Sequence, residues 1–225
     1  MTAVQLAAQH ILGHLTKERP LFVALQGPQG SGKSYLSVKL REYLKANPHD
    51  LNVVVLSIDD LYLPHDDLVS LAVAHPENKL WNGRGQPGTH DIALGVKLLS
   101  ALKAEKSSVE LPRFDKSLLD GEGDRIPMDG TGTIVTQPPR VDIVIFEGWC
   151  VGFQPLSEHE IRLRWDGIWK EERQKLKLGE NEIGRLTDLE SVNESLKEYL
   201  TLWNFFDVFV QVFHERIASP AYLLS

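Results

Sequence analysis

Residues 27–34 read Gly-Pro-Gln-Gly-Ser-Gly-Lys-Ser, and no other stretch constrains the fold as tightly. The octapeptide fills every fixed position of G-x-x-x-x-G-K-[ST], with Gly27, Gly32, Lys33 and Ser34. Glycine admits backbone conformations that a Cβ blocks, so a loop made of Gly27, Pro28, Gln29, Gly30, Ser31 and Gly32 can turn its N–H groups onto phosphate oxygens. A helix opening at Lys33, Ser34 and Tyr35 adds its unpaired N–H groups and the positive end of its dipole. Lys33 is predicted to reach the β- and γ-phosphates of a nucleoside triphosphate, and the Ser34 hydroxyl to ligate Mg²⁺. The pattern has this meaning only between a buried strand and a helix. Both flanks comply: Leu21-Phe-Val-Ala-Leu25 is apolar without alternation, and Leu36, Leu40 and Leu44 share a stripe that Asn47-Pro48 ends.

Two more segments read as buried strands, residues 52–58 and 141–146, and residues 208–212 read as the last strand. Between them, a polar loop rich in Gly and Pro runs to Asp91, which can cap a helix carrying Ile92, Leu98, Leu99 and Leu102. Val4, Ala7, Ala8, Ile11, Leu12 and Leu15 recur at helical spacing and predict an amphipathic first helix in preference to a targeting peptide. Near the other end, a helix through Leu196, Tyr199, Leu200 and Trp203 is expected; Thr187-Asp-Leu-Glu190 and Ser191-Val-Asn-Glu194 both fit a capping box before it. The alternation predicts an α/β fold: one P-loop domain over 1–225, with a mostly parallel sheet and helices on both faces.

Composition narrows the function by exclusion. A net charge of −7 gives no basis for electrostatic capture of nucleic acid or anionic membrane. One cysteine, Cys150, cannot make an internal disulfide or a thiolate zinc site, and its apolar surroundings predict a small buried residue. No apolar run approaches the ~20 residues of a membrane span, so a cytoplasmic protein is expected. His65-Asp66-Asp67 with His75 lacks a helical i, i+4 pair and follows a proline, which predicts a solvated loop and not a metal site. Trp81 and Trp149 are candidates for walling a pocket, with core packing the default reading.

Ligands of an open parallel sheet sit beyond the carboxyl ends of its strands. Asp59, Asp60 and Glu147 follow the second and third buried strands and therefore belong at the edge that carries residues 27–34. If the strand continues, adjacent residues face opposite ways, so one of Asp59 and Asp60 can face the γ-phosphate and accept the proton of an attacking hydroxyl. Glu147 is the carboxylate expected to hold Mg²⁺, directly or through water. A guanine-reading Asn-Lys-x-Asp sequence is absent, which disfavours a switch GTPase.

Ser57-Ile-Asp-Asp-Leu-Tyr62, Gly83-Arg-Gly-Gln-Pro-Gly-Thr-His-Asp91, Leu111-Pro-Arg-Phe-Asp-Lys-Ser117 and Phe146-Glu-Gly-Trp149 stand in that order. Together with the P-loop they resemble the D-glycerate 3-kinases of plants and their fungal kinase relatives, and more distantly uridine kinase, pantothenate kinase and phosphoribulokinase. The resemblance covers about 21–212, including Val192-Asn193, Tyr199 and Phe206-Asp207. It implies an ATP- and Mg²⁺-dependent kinase for a small hydroxylated metabolite, D-glycerate first. It also implies that Asp59 is the catalytic acid of the pair and that Tyr62 lies beside the acceptor. Leu61 stands where the family usually has Phe.

For the acceptor, a carboxylate needs a cation or a ring of donors, and Arg84, Arg113, Lys116 and Arg125 all lie between the second and third buried strands. His90 and Asp91 are candidates for bonding substrate hydroxyls, with a plain helix cap the alternative for Asp91; Asp115 shares the Arg113 motif. The resemblance fails after the last strand, where the family continues with a Trp-Arg and Gln-Glu helix and a closing segment. Here His214-Glu-Arg-Ile-Ala-Ser-Pro-Ala-Tyr-Leu-Leu-Ser225 follows, so the family's lid is expected to be missing or replaced, and Arg216 is not equated with its cations. The rival expectation is an ATP-binding protein without phosphotransfer.

Overall fold

A computed structural model describes residues 1–213. The elements run α1 (Ala3–Gly13), β1 (Leu21–Gln26), α2 (Lys33–Lys45), β2 (Val53–Ser57), α3 (His65–Ala74), α4 (Ile92–Lys103), β3 (Ser108–Leu111), β4 (Phe114–Asp115), β5 (Asp124–Arg125) and β6 (Thr133–Thr136). Then follow β7 (Ile143–Gly148), α5 (Glu158–Asp166), α6 (Ile168–Leu176), α7 (Glu180–Ile183), α8 (Leu186–Trp203) and β8 (Val208–Gln211). Residues 214–225, where the expectation about the lid and Arg216 falls, lie outside the described residues.

The unalternating strands form one parallel sheet in the order β2-β7-β1-β8, with β1 and β7 buried along their whole length. Successive side chains point to opposite faces, so each strand feeds two cores. Leu21, Val23, Leu25, Ile143 and Ile145 pack with Ala7, Ala8, Ile11, Leu40 and Leu44 of α1 and α2. Phe22, Ala24, Val54, Leu56 and Phe146 pack with Leu98, Leu99, Leu102 and Tyr199 of α4 and α8 on the other face. This is the expected α/β architecture, with the first helix and the Leu stripe where periodicity put them. Two small antiparallel pairs, β3 with β6 and β4 with β5, stand apart from the main sheet.

The structure corrects three local readings. The stretch before Asp91 is not one loop: His65-Asp66-Asp67 open α3, and a short 3-10 turn spans Lys79–Trp81. Pro64 suits a position just before a helix, and Asp66 and Asp67 favour the first turn's dipole. Only Leu68 of α3 is buried, so no periodic stripe announced it. β2 stops at Ser57, and Asp59 and Asp60 sit in a 3-10 turn, Ile58–Leu61, so strand alternation does not separate them. β7, by contrast, ends in Glu147 and Gly148 as expected, beside Leu25 and Gln26. Finally, α8 begins at Leu186 behind Arg185, whose side chain pairs with Asp188. Thr187 and Ser191 are therefore inside the helix and cap nothing.

Candidate functional site

The P-loop leaves β1 at Gln26 and enters α2 at Lys33. Gly30 and Gly32 take left-handed φ of 78° and 85°, the second as the N-cap of α2. Gly27 is demanded by space instead: a Cβ there would lie 2.6 Å from Ser31 Oγ and 3.0 Å from Val212 Cβ. Lys33 is buried and donates to Gln29 Oε1 at 3.1 Å. Ser34 donates from Oγ to Glu147 Oε1 at 2.9 Å, so the helix hydroxyl and the strand-end carboxylate, 113 residues apart, meet. Pro28 accepts the Ser31 N–H, and Tyr35 lies on the exposed side of α2 with Lys39 over its ring.

Glu147 shares this edge with the turn that holds Asp59 and Asp60. Burial pushes the Glu147 carboxyl above the usual range, opposed by the Ser34 hydroxyl and the Lys33 charge. Burial likewise raises Asp60, whose Oδ1 accepts the Phe114 N–H at 3.1 Å and ties β4 to the turn. Asp59 is used differently: Oδ2 accepts from Lys116 Nζ at 2.6 Å. Ser31 Oγ, Asp59 Oδ1 and Glu147 Oε2 are all buried with no hydrogen-bond partner. Unsatisfied buried polar atoms cost about 1–3 kcal/mol each, and three around one P-loop mark a surface built for a ligand's donors, acceptors and charge. Ser34 Oγ and Glu147 Oε2 are the groups able to hold a divalent cation. No cluster of three His, Cys, Asp or Glu side chains is arranged as a metal site among the described residues.

The acceptor candidates fall into two groups. Leu63 N–H bonds Thr89 O and Asp91 N–H bonds Leu61 O, so the chain after Asp59 and the Gly-rich segment run side by side. This stacks Tyr62 on His90, ring centroids 4.4 Å apart, with Phe114 edge-on to Tyr62. Burial, helped by the Asp59 charge, pushes the Tyr62 phenol well above its ordinary value. Burial lowers His90 to about 3 against the pull of Asp59, so the imidazole is neutral at pH 7. Its Nδ1 lies 2.6 Å from the Tyr199 hydroxyl, which also receives the Gly88 N–H at 2.9 Å. The tautomer that satisfies all three has the hydroxyl donating to Nδ1 and the ring hydrogen on Nε2, an atom buried without a partner.

The remaining side chains are engaged elsewhere. Arg84 donates to the carbonyls of Gly121 and Glu122 and lies over the Phe114 ring. Arg113 is exposed and 3.6 Å from Asp115, whose carboxyl is held low by the Ser117 hydroxyl and N–H. Arg125 pairs with Asp91 at 2.9 Å, while Asp91 caps α4 through the Leu94 N–H. Cys150 is buried, and burial pushes its thiol up. Trp81 is in the core and donates to Pro87 O; Trp149 lines a cavity of about 460 Å³ with Phe153 and Trp169. Sequence reasoning missed the partners of the site: Ser57, which caps the Asp59 turn, and Tyr199, which sets the His90 tautomer. The Ser before the acid pair was a visible capping signal; nothing local linked Tyr199 to His90.

No protein-family model matches the chain. It is 42% identical over 145 residues to the Saccharomyces cerevisiae protein named "probable ATP-dependent kinase TDA10", covering 62% of this chain and 48% of that protein. To the chloroplastic D-glycerate 3-kinase of Arabidopsis thaliana it is 30% identical over 210 residues, which is 91% of this chain and 39% of the other. The chain thus spans about half the length of these curated relatives. A solved D-glycerate 3-kinase from Cryptococcus neoformans superposes with a TM-score of 0.80 at 36% identity, covering 94% of this chain and 73% of that one. No helix among the described residues is long and apolar enough to cross a membrane. At 36% identity across 94% of its length and 73% of the solved D-glycerate 3-kinase, the chain belongs to the D-glycerate 3-kinase family of P-loop kinases.

Proposed function

We propose that the protein is a cytoplasmic kinase that transfers the γ-phosphate of ATP to a hydroxyl of a small metabolite, with D-glycerate the first candidate. The observation that carries this reading is the pair of buried, unpartnered oxygens, Asp59 Oδ1 and Glu147 Oε2, flanking the P-loop at the ends of β2 and β7. The buried free cysteine accords with a reducing compartment. D-glycerate enters because two relatives bear that name and because the Lys116 ammonium stands on the turn that holds Asp59.

In this reading Asp59 takes the proton as the acceptor O–H bond breaks, the oxygen bonds the γ-phosphorus, and the bond from that phosphorus to the bridging oxygen breaks to release ADP. Lys33 leaves Gln29 for the phosphates and offsets the charge that builds on them. Ser34 and Glu147, which meet at 2.9 Å, would hold Mg²⁺, and the ion would supply Lewis-acid charge at the transferring group. Glu147 suits the task because the cation returns to its buried carboxyl the charge stabilisation that burial removes.

The test incubates the protein with ATP and Mg²⁺ against a panel of hydroxy acids, sugars and nucleosides, followed by phosphorus NMR. Acceptor-dependent ADP formation that disappears in Asp59→Asn is expected. Turnover by Asp59→Asn at the wild-type rate, with Asp60→Asn dead, reverses the assignment of the base; no response to any acceptor defeats the kinase reading.

A further inference from the structure

We propose that Lys116 is a positioning residue that holds the catalytic base shut: its ammonium occupies Asp59 until an anionic group on the acceptor draws it away. The inference rests on the kinase reading and adds to it a reason for preferring anionic over neutral acceptors.

The pairing is built and not incidental. Lys116 Nζ is 2.6 Å from Asp59 Oδ2, across 57 residues of sequence. Both partners are anchored through backbone. Ser57 caps the turn that presents Asp59. Asp60 Oδ1 takes the Phe114 N–H, fixing the start of the lysine's segment to that same turn. Asp115 then accepts both the N–H and the hydroxyl of Ser117, at 3.0 and 2.6 Å, closing a tight turn around Lys116.

The consequence is chemical. Oδ2 carries the ammonium and Oδ1 is buried, so neither oxygen of Asp59 meets a hydroxyl proton until the lysine moves away and opens the carboxylate to the acceptor. The Lys116 side chain is 53% exposed, against 18% for Asp59, so the lysine is the partner that can swing out. An acceptor bearing a carboxylate offers the ammonium a second counter-ion, and its hydroxyl then meets a freed base. A neutral acceptor must part the two charges with nothing in return, leaving Asp59 beside the other two acids, Asp60 and Glu147. Selection for charge and release of the base become one event.

Calorimetry on the full chain, loaded with Mg²⁺ and a non-hydrolysable ATP analogue, separates this from simple carboxylate binding by Lys116. Asp59→Asn, which removes turnover, is expected to tighten D-glycerate about three- to fivefold, the scale of a half-exposed ion pair. Glyceramide, of the same shape without the charge, gains nothing. The tightening vanishes in Asp59→Asn/Lys116→Met and persists in Asp59→Asn/Lys116→Arg. If Asp59→Asn tightens D-glycerate equally without Lys116, the gain is relief of repulsion between carboxylates and the lock is overturned; an absence of any gain overturns it too. D-glycerate that binds no form, while the ATP analogue still binds, refutes the hydroxy-acid reading and the lock with it, an outcome distinct from the other two.

Discussion

Tyr199→Phe tests the buried acceptor-side network at its centre. The substitution removes one oxygen from a side chain that is 1% exposed and leaves the ring and its packing in place. It strips a partner from the Gly88 N–H and from Nδ1 of the fully buried His90. Each orphaned buried group costs about 1–3 kcal/mol, so a loss of roughly 2–4 kcal/mol is expected, with allowance for the Gly88 N–H being only partly shielded. In urea at pH 7 the midpoint falls by about 1 M with the slope unchanged, and the melting temperature drops by about 5–12 °C. Tyr43→Phe, on the half-exposed face of α2, stays within about 0.5 kcal/mol. A cycle with His90→Phe apportions the loss, and a coupling of about 1 kcal/mol or more between the two sites is expected. A loss below about 0.5 kcal/mol for Tyr199→Phe, or no coupling with His90, refutes the argument that this hydroxyl sets the imidazole.

His90, lowered to about 3 by burial, takes up a proton more readily in the unfolded chain, so its contribution to stability is lost as pH falls from about 6.5 towards 3. His90→Gln is expected to remove up to about 1.4 kcal/mol per pH unit from that slope in urea titrations across pH 6 to 4; an unchanged slope shows the ring is not buried neutral. Glu147 runs the other way: its carboxyl is raised, so the folded state is favoured below the ordinary value and loses that advantage as pH rises through the raised one. Glu147→Gln should therefore melt about 2 °C higher than wild type at pH 8 without nucleotide, while Mg²⁺-dependent turnover falls about 10–100-fold. A lower melting temperature with intact turnover contradicts both halves. In Gly27→Ala the added Cβ meets Ser31 Oγ at 2.6 Å and Val212 Cβ at 3.0 Å, so calorimetry should show the ATP analogue bound at least about tenfold more weakly; equal affinity would show that the loop has room to give.

Much of this molecule is legible along the chain because its information is local. A parallel strand covered on both faces must be apolar without alternation, so β1, β2 and β7 announce themselves, while the edge strand β8 leaves Phe209 exposed. The phosphate loop is eight contiguous residues whose glycines and lysine are chosen by the ligand's geometry. Asp91 and its helix follow from capping alone. α3 escaped notice because it buries a single residue and so leaves almost no periodic trace. The 3-10 turn under Asp59 and Asp60 escaped because an apolar run gives no sign of where extended backbone ends.

From the sequence alone, then, came the phosphate cradle, the sheet that carries it and the acids at its edge. Tertiary structure decided what those acids touch. It joins Glu147 to Ser34 across 113 residues, Lys116 to Asp59 across 57 and Tyr199 to His90 across 109. Such contacts leave no local signal, because they depend on which strands become neighbours and not on what lies beside each residue in the chain. The order β2-β7-β1-β8 brings the ends of β2 and β7 to the phosphate loop, and burial there leaves carboxylate oxygens that only a ligand can satisfy.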